Sequence, residues 1–246
     1  MATSIQLRDA WRTIAPIERE AHGRLPQVLL LLTVVTGLVD SFSYLRLGHV
    51  FVANMTGNVV FLAFALAGAA GFSVWSSLIA IAAFLLGAVV GGRISHRHAK
   101  HRGRMTLVAI FLQMTIMLAA FIVALIFGPG TDIGPRFVLT ALMACGMGIQ
   151  NAVSRALGVP DLTTTVLTLT ITGISADSKL GGGSNSKAGR RLLSILSMFL
   201  GACLGAILVL HGLAPWVLLI VVVLLAIVTA TSVRLARSTE PWTSHA

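Results

Sequence analysis

The sequence predicts an all-α transmembrane protein with six spanning helices and two short half-penetrating helical segments, arranged as a 3+3 inverted repeat. Three observations carry that expectation: the composition, the lengths of the apolar runs and the placement of the basic residues. The chain of 246 residues is 56% hydrophobic and 11% charged, and its mean hydropathy is +0.91. Soluble domains carry about 25% charged residues, so the polar coat that water demands is missing here. One bundle is the expected domain count at this length.

Eight apolar runs follow one another, and length sorts them. A spanning helix needs about 20 apolar residues at 1.5 Å each. Residues 25–45, 74–94, 105–127, 137–157, 192–210 and 214–235 meet or approach that length. Residues 50–70 and 162–174 do not. The uninterrupted apolar part of the former starts only at Val59 and covers roughly 18 Å; that of the latter, from Val166 to Ile174, covers less. Each amounts to about half a bilayer. Ahead of the first run, residues 1–24 are mixed in charge and lack a signal peptide's short apolar core and small-residue cleavage site. They read as a cytoplasmic tail, with Trp11 and Ile14 offering an interfacial helix.

The halves of the chain resemble each other. Gly37-Leu38-Val39-Asp40 recurs as Gly148-Ile149-Gln150-Asn151, and Gly48 recurs as Gly158. The polar cluster Asn54-Met55-Thr56-Gly57-Asn58 recurs as Thr163-Thr164-Thr165, followed by Thr168. Gly87 and Gly91 recur as Gly201 and Gly205. A series of matches in one order, at nearly constant spacing, points to an internal repeat. The expected units are a tail over 1–24, membrane repeats over 25–127 and 128–237, and a cytoplasmic tail over 238–246.

Charge placement tests the topology. With a cytoplasmic N-terminus and six crossings, Arg46 and Arg136 alone among the 18 Lys and Arg fall outside. With eight crossings the same residues divide eleven to seven. The positive-inside rule selects six. Three crossings per half turn the second repeat upside down relative to the first, so the short segments enter from opposite faces, as in many transporters and some channels. The net charge of +10 therefore reflects loops facing anionic lipid, and no nucleic-acid partner is expected.

The residues that could carry chemistry lie in the polar clusters. Asp40 is an acid inside a membrane run, where ionisable groups face a cavity or a partner, unless the run ends early and leaves it in interfacial water. Its repeat mate Asn151 is polar too. Asn54, Thr56 and Asn58 precede the half-length helix, Thr56 and Asn58 are N-cap types, and Gly57 permits unusual backbone geometry. A helix N-terminus at mid-membrane presents free N–H groups and partial positive charge. Thr163, Thr164, Thr165 and Thr168 offer the same in the other half, with hydroxyls able to meet an ion or a polar solute. Equally, all these groups can simply satisfy irregular backbone. Arg155 and Asp161 flank the second cluster and are a candidate gate pair, or ordinary interfacial charges. Gly87/Gly91 and Gly201/Gly205 read as small-xxx-small helix-packing pairs. His96, His98 and His101 sit among five cations, so no metal site is assigned. Cys145 and Cys203 lie inside apolar runs as small packing residues. No nucleophile elbow or paired acid–base set is present, and no cofactor is implied. An enzyme is not expected.

The stretch Gly37-Leu38-Val39-Asp40 followed by Val50-Phe51-Val52-Ala53-Asn54-Met55-Thr56-Gly57-Asn58 resembles the first signature of the bacterial YoaK family. Asp161-Leu162-Thr163-Thr164-Thr165-Val166-Leu167-Thr168 resembles its second. The likeness covers roughly residues 25–237. It implies a multi-pass protein of the bacterial inner membrane built around a domain of unknown function, and supplies no substrate. From the residues, the expected function is movement of a small solute or ion through a central site between the repeats, as a transporter or permease. Asp40 would bind a coupling cation or proton, and Asn54, Thr56, Asn58 and Thr163 to Thr165 would meet the solute. A passive channel and a non-transporting scaffold share the fold. The expected partners are the lipid bilayer and that solute, with homo-oligomerisation left open.

Overall fold

The computed structural model describes residues 11, 13, 22–129, 132–162, 164, 167–178, 181–183 and 188–244. These residues form eight α-helices: α1 (Leu25–Arg46), α2 (Met55–Leu66), α3 (Val74–Arg97), α4 (Arg102–Phe127), α5 (Ile133–Leu157), α6 (Leu167–Ala176), α7 (Ala188–Leu210) and α8 (Ala214–Arg237). Six of them, all but α2 and α6, are long and apolar enough to cross a membrane. Of the N-terminal interfacial helix, only Trp11, exposed, and Thr13, buried, fall among the described residues.

Local chemistry sets the ends. Pro26 and Pro215 stand in the first turns of α1 and α8, where the missing N–H costs nothing. Ser73 caps α3 by accepting from the Ser76 amide at 3.3 Å, and His101 caps α4 by accepting from Arg104. Most spans run beyond their apolar stretches into charged residues, because helix hydrogen bonding does not stop at the lipid boundary. α2 likewise begins at Met55, four residues ahead of its apolar run. Asn54 is therefore its N-cap, without a side-chain cap bond, and Thr56 and Asn58 lie inside the helix.

Two helices form the centre. About two-thirds of the apolar window of α1 and of α5 is buried, against a third or less in the other four spans. The outer spans instead expose Leu85, Leu86 and Val89 on α3 and Phe199 and Leu200 on α7, as contact with the bilayer requires.

The packing is symmetric. α3 packs on α5 and α1 on α7; α4 packs on α5 and α1 on α8; α2 packs on α3 and α6 on α7; α4 packs on α8. Exchanging α1 with α5, α2 with α6, α3 with α7 and α4 with α8 reproduces the same set. The correspondence holds at single atoms. A Cβ on Gly87 would overlap the Cys145 carbonyl, and one on Gly201 the Val34 carbonyl; one on Gly148 would overlap Phe84, and one on Gly37 would overlap Met198. Gly91 sits against Ile149 and Ala152, Gly205 against Leu38 and Ser41. Each pair is related by the offset read from the sequence.

The repeat is inverted. Gly103, at the start of α4, lies against Leu235 and Ala236 at the end of α8, so these equivalent helices run in opposite directions. A helix paired antiparallel with its own equivalent places the symmetry axis across the helices, in the membrane plane. Eight crossings would have made α4 and α8 parallel; six make them antiparallel. The short segments do not cross. After α1 the chain turns at Gly48 (φ 85°) and His49 (φ 54°) and brings Val52 and Ala53 back to Asp40, about 9 Å inside the helix end. α2 then carries it out again, and His49 Nδ1 meets the Gly71 carbonyl at 3.0 Å, closing the hairpin.

Candidate functional site

The first polar cluster serves its own loop. Asp40 Oδ1 accepts from the amides of Val52 at 3.1 Å and Ala53 at 2.9 Å. Asn58 accepts from the Phe51 amide at 2.9 Å and donates to the Phe51 carbonyl at 2.6 Å. Backbone at this depth has no water to bond with, so these two side chains stand in for it. Asp40 is 4% exposed and Asn58 fully buried; neither is open to a passing solute. Gly57 does not have the unusual backbone geometry the sequence allowed. Its φ is not positive, and the Phe51 ring lies where its Cβ would stand, 2.7 Å away. A cluster of Tyr44, His49, Phe51, Phe61, Phe64 and Phe72, with ring centroids 5.1 to 6.3 Å apart, fastens α2 to the loop. That cluster escaped sequence reasoning, although three of its members lie within twelve residues, Phe61 to Phe72.

The described members of the two clusters do not converge on one central site. Each short helix packs on the third helix of its own repeat, and Asn54 and Thr56 are exposed beside the exposed Val59 and Val60. In the second half Thr168 is exposed and Thr164 is buried with no hydrogen-bond partner for its hydroxyl. Thr163 and Thr165 lie outside the described residues. The proposed gate pair is also re-partnered. Asp161 is bound by Arg191 at 2.9 Å, and Arg191 also holds Asp177 at 2.7 Å, while Arg155 is exposed on α5. Arg191 wins because its side chain comes from α7, against Gly173 of α6, and bridges the loop to the helix it must hold. The ion pairs thus do for α6 what aromatic rings do for α2.

Between the clusters lies an amide chain. Gln113 of α4 donates to Gln150 at 2.8 Å, and Gln150 donates to Thr36 at 3.0 Å and to the Leu32 carbonyl at 3.3 Å. All three side chains are fully buried, and Gln113 Oε1 has no partner. Gln150 meets α1 between Leu32 and Thr36, which puts Asp40 and Asn151 about 10 Å apart along the helices, on either side of this layer. Gln113 was legible as the amide in an otherwise apolar span but went unnoticed. We expect Gln150→Leu to cost about 1–3 kcal/mol of stability by stranding Gln113, and Gln113→Leu in the same chain to recover much of it. Thermal unfolding of the single and double variants in detergent checks this.

Asn151 has a different fate from Asp40. It lines a cavity of about 1100 Å³ between α3, α5 and α6, and it also donates to the Met147 carbonyl at 2.9 Å. Asn151, Ser154 and Arg155 share one face of α5, at helical spacing, opposite Phe84, Ala88 and Gly92 of α3. His96 and Arg155 stand near the ends of their helices, at the mouth. Ser154 is 2% exposed, and its hydroxyl has no partner. His98 and His101 are held by the Ile94 and Ser238 carbonyls.

Fold and site define a helical integral membrane protein with an inverted repeat and a cavity beside Asn151. The profile of the family described as "Protein of unknown function (DUF1275)" matches residues 28–231, and the chain belongs to that family. It is similar to the UPF0700 transmembrane protein YoaK of Bacillus subtilis (strain 168), with 33% identity over 152 residues. That stretch covers 61% of this chain and 65% of the relative, just under two-thirds of the relative's length. No solved structure matches the chain.

Proposed function

We propose that the protein is a permease of the bacterial inner membrane, moving a small solute through the space between its two repeats. The observation that carries this is the unequal state of two equivalent places. At Asn151 there is a cavity; at Asp40 the re-entrant loop is docked and the carboxylate covered. Inverted repeats exchange such states between their halves, and the exchange opens the opposite face. The buried amide layer at Gln150 separates the two places, which favours alternating access over a continuous pore.

Gly92 supplies the test, because it lines the cavity and a Cβ there meets nothing within 4 Å. We expect Gly92→Trp to fold, to fill the cavity and to reduce uptake to the level of cells lacking the protein, in a solute screen in which wild type accelerates at least one compound. Uptake by the variant equal to wild type would end the permease reading. The distribution of basic residues supports a cytoplasmic location for both termini. Of single cysteines at Ala70 and Ala99, in a chain without Cys145 and Cys203, only the former is expected to react with an impermeant thiol reagent on intact cells.

A further inference from the structure

We infer that the cavity beside Asn151 takes a small organic anion with an apolar body, a conclusion that rests on the permease reading and names its substrate class. Among the described residues on its wall Arg155 is a cation, His96 stands with it, and none is an aspartate or glutamate. Arg155 has no carboxylate partner among the described residues. The nearest acids that follow it in the chain, Asp161 and Asp177, are both held by Arg191, so neither neutralises it. A guanidinium in a cleft with low-dielectric walls attracts an anion and repels a cation.

Ser154 supplies the second observation. The residue lines the cavity, and its hydroxyl is buried beneath that wall and bonds to no described protein atom. A buried donor without a partner is costly, and rotation of the side chain toward the cavity lets a ligand oxygen relieve it. Arg155 and Ser154 are successive on one helix, so both can address one anionic group near the mouth. The wall also includes Phe84, Ala88, Met105 and Leu169, which offer an apolar body dispersion contacts and burial. The volume of about 1100 Å³ is ample for a ring or a short chain. Asp40 lends this cavity no affinity for a cation: it lies on the other side of the amide layer, and its Oδ1 is given to two backbone amides.

The probe is benzenesulfonate, an anion at every accessible pH that does not cross bilayers as a neutral acid. Phenyltrimethylammonium, similar in size and opposite in sign, is its counterpart. The full-length protein is placed in phosphatidylcholine nanodiscs and binding is measured by calorimetry. Saturable binding of benzenesulfonate is expected, with none of phenyltrimethylammonium. Arg155→Gln should weaken binding at least about tenfold and Ser154→Ala about threefold, the ranges for a lost charge-assisted and a lost neutral hydrogen bond. Arg155 is exposed, so the variant keeps its fold, which its unfolding temperature in the same discs verifies. Equal binding of the cation, no binding of either probe, or an unchanged affinity in Arg155→Gln overturns the inference. Loss of benzenesulfonate binding when phosphatidylglycerol replaces a third of the lipid supports the anion site and assigns it to a lipid headgroup. Flux separates the two readings. Binding without benzenesulfonate counterflow in proteoliposomes keeps the anion site and ends the permease; counterflow of the cation alone does the reverse.

Discussion

Gly87→Leu is expected to leave little or no folded protein in the membrane. The Gly87 Cα stands against the Cys145 carbonyl, and even a Cβ would overlap it. The atom in the way is backbone, in a central helix fixed by its neighbours on several sides, so it cannot swing aside as a side-chain end would. Overpacking a core costs about 1–3 kcal/mol where side chains absorb it, and more where the backbone must move. Without a hydrophobic force between helices in lipid, close packing is much of what holds a bundle together. Separating α3 from α5 therefore undoes a principal contact between the repeats. Symmetry sharpens the expectation: Gly201→Leu should fail equally, since the Val34 carbonyl occupies the same place. Gly92→Leu, five residues from Gly87 on the same helix but facing open space, should extract and migrate as wild type. Monodisperse yield after detergent extraction reads all three. A well-folded Gly87→Leu protein would mean that the crossing of α3 and α5 is not as close as described.

Asp40→Ala is expected to release the re-entrant loop. Its Oδ1 is the shared acceptor for two consecutive buried amides, Val52 and Ala53. Removing it strands both, at about 1–3 kcal/mol each. Even the lower sum corresponds to about a thirtyfold rise in opening, so hydrogen exchange at these amides should accelerate by at least that factor. Asp40→Asn retains an oxygen at the same position and should keep most of the protection. The pair of variants also separates two roles. If Asp40 only holds the loop, the asparagine variant transports and the alanine variant does not. Loss of transport in Asp40→Asn with the loop still protected would give the carboxylate a proton- or cation-coupling role after all.

Much of the architecture was legible because lipid imposes simple rules. Half-length runs at 50–70 and 162–174 cannot span, and small residues spaced by four mark close crossings. Gly37 and Gly148 announced the repeat through sequence identity, and each lies against the equivalent helix of the other half. The candidate site was less legible. Asp40 and Asn58 carry the same polar groups whether they meet a solute or a loop amide, and the sequence does not say how far Val52 and Ala53 fold back. Arg155 is much the nearer to Asp161 in the chain, six residues away against thirty for Arg191, and only the position of α7 gives Asp161 to Arg191.

What the sequence by itself determined is the membrane class, the six spans, the two short segments and the inverted repeat. Those follow from the length and polarity of each run and from an odd number of crossings per half, which are properties of the chain taken in order. The tertiary structure alone decided that α1 and α5 are central, and that Asn151 lines a cavity while its repeat mate Asp40 is sealed under a loop. The two halves share a pattern but not their side chains: aromatic rings fasten one short helix and an arginine with two carboxylates fastens the other. Those contacts join residues distant in the chain, and which of them form depends on how the helices pack.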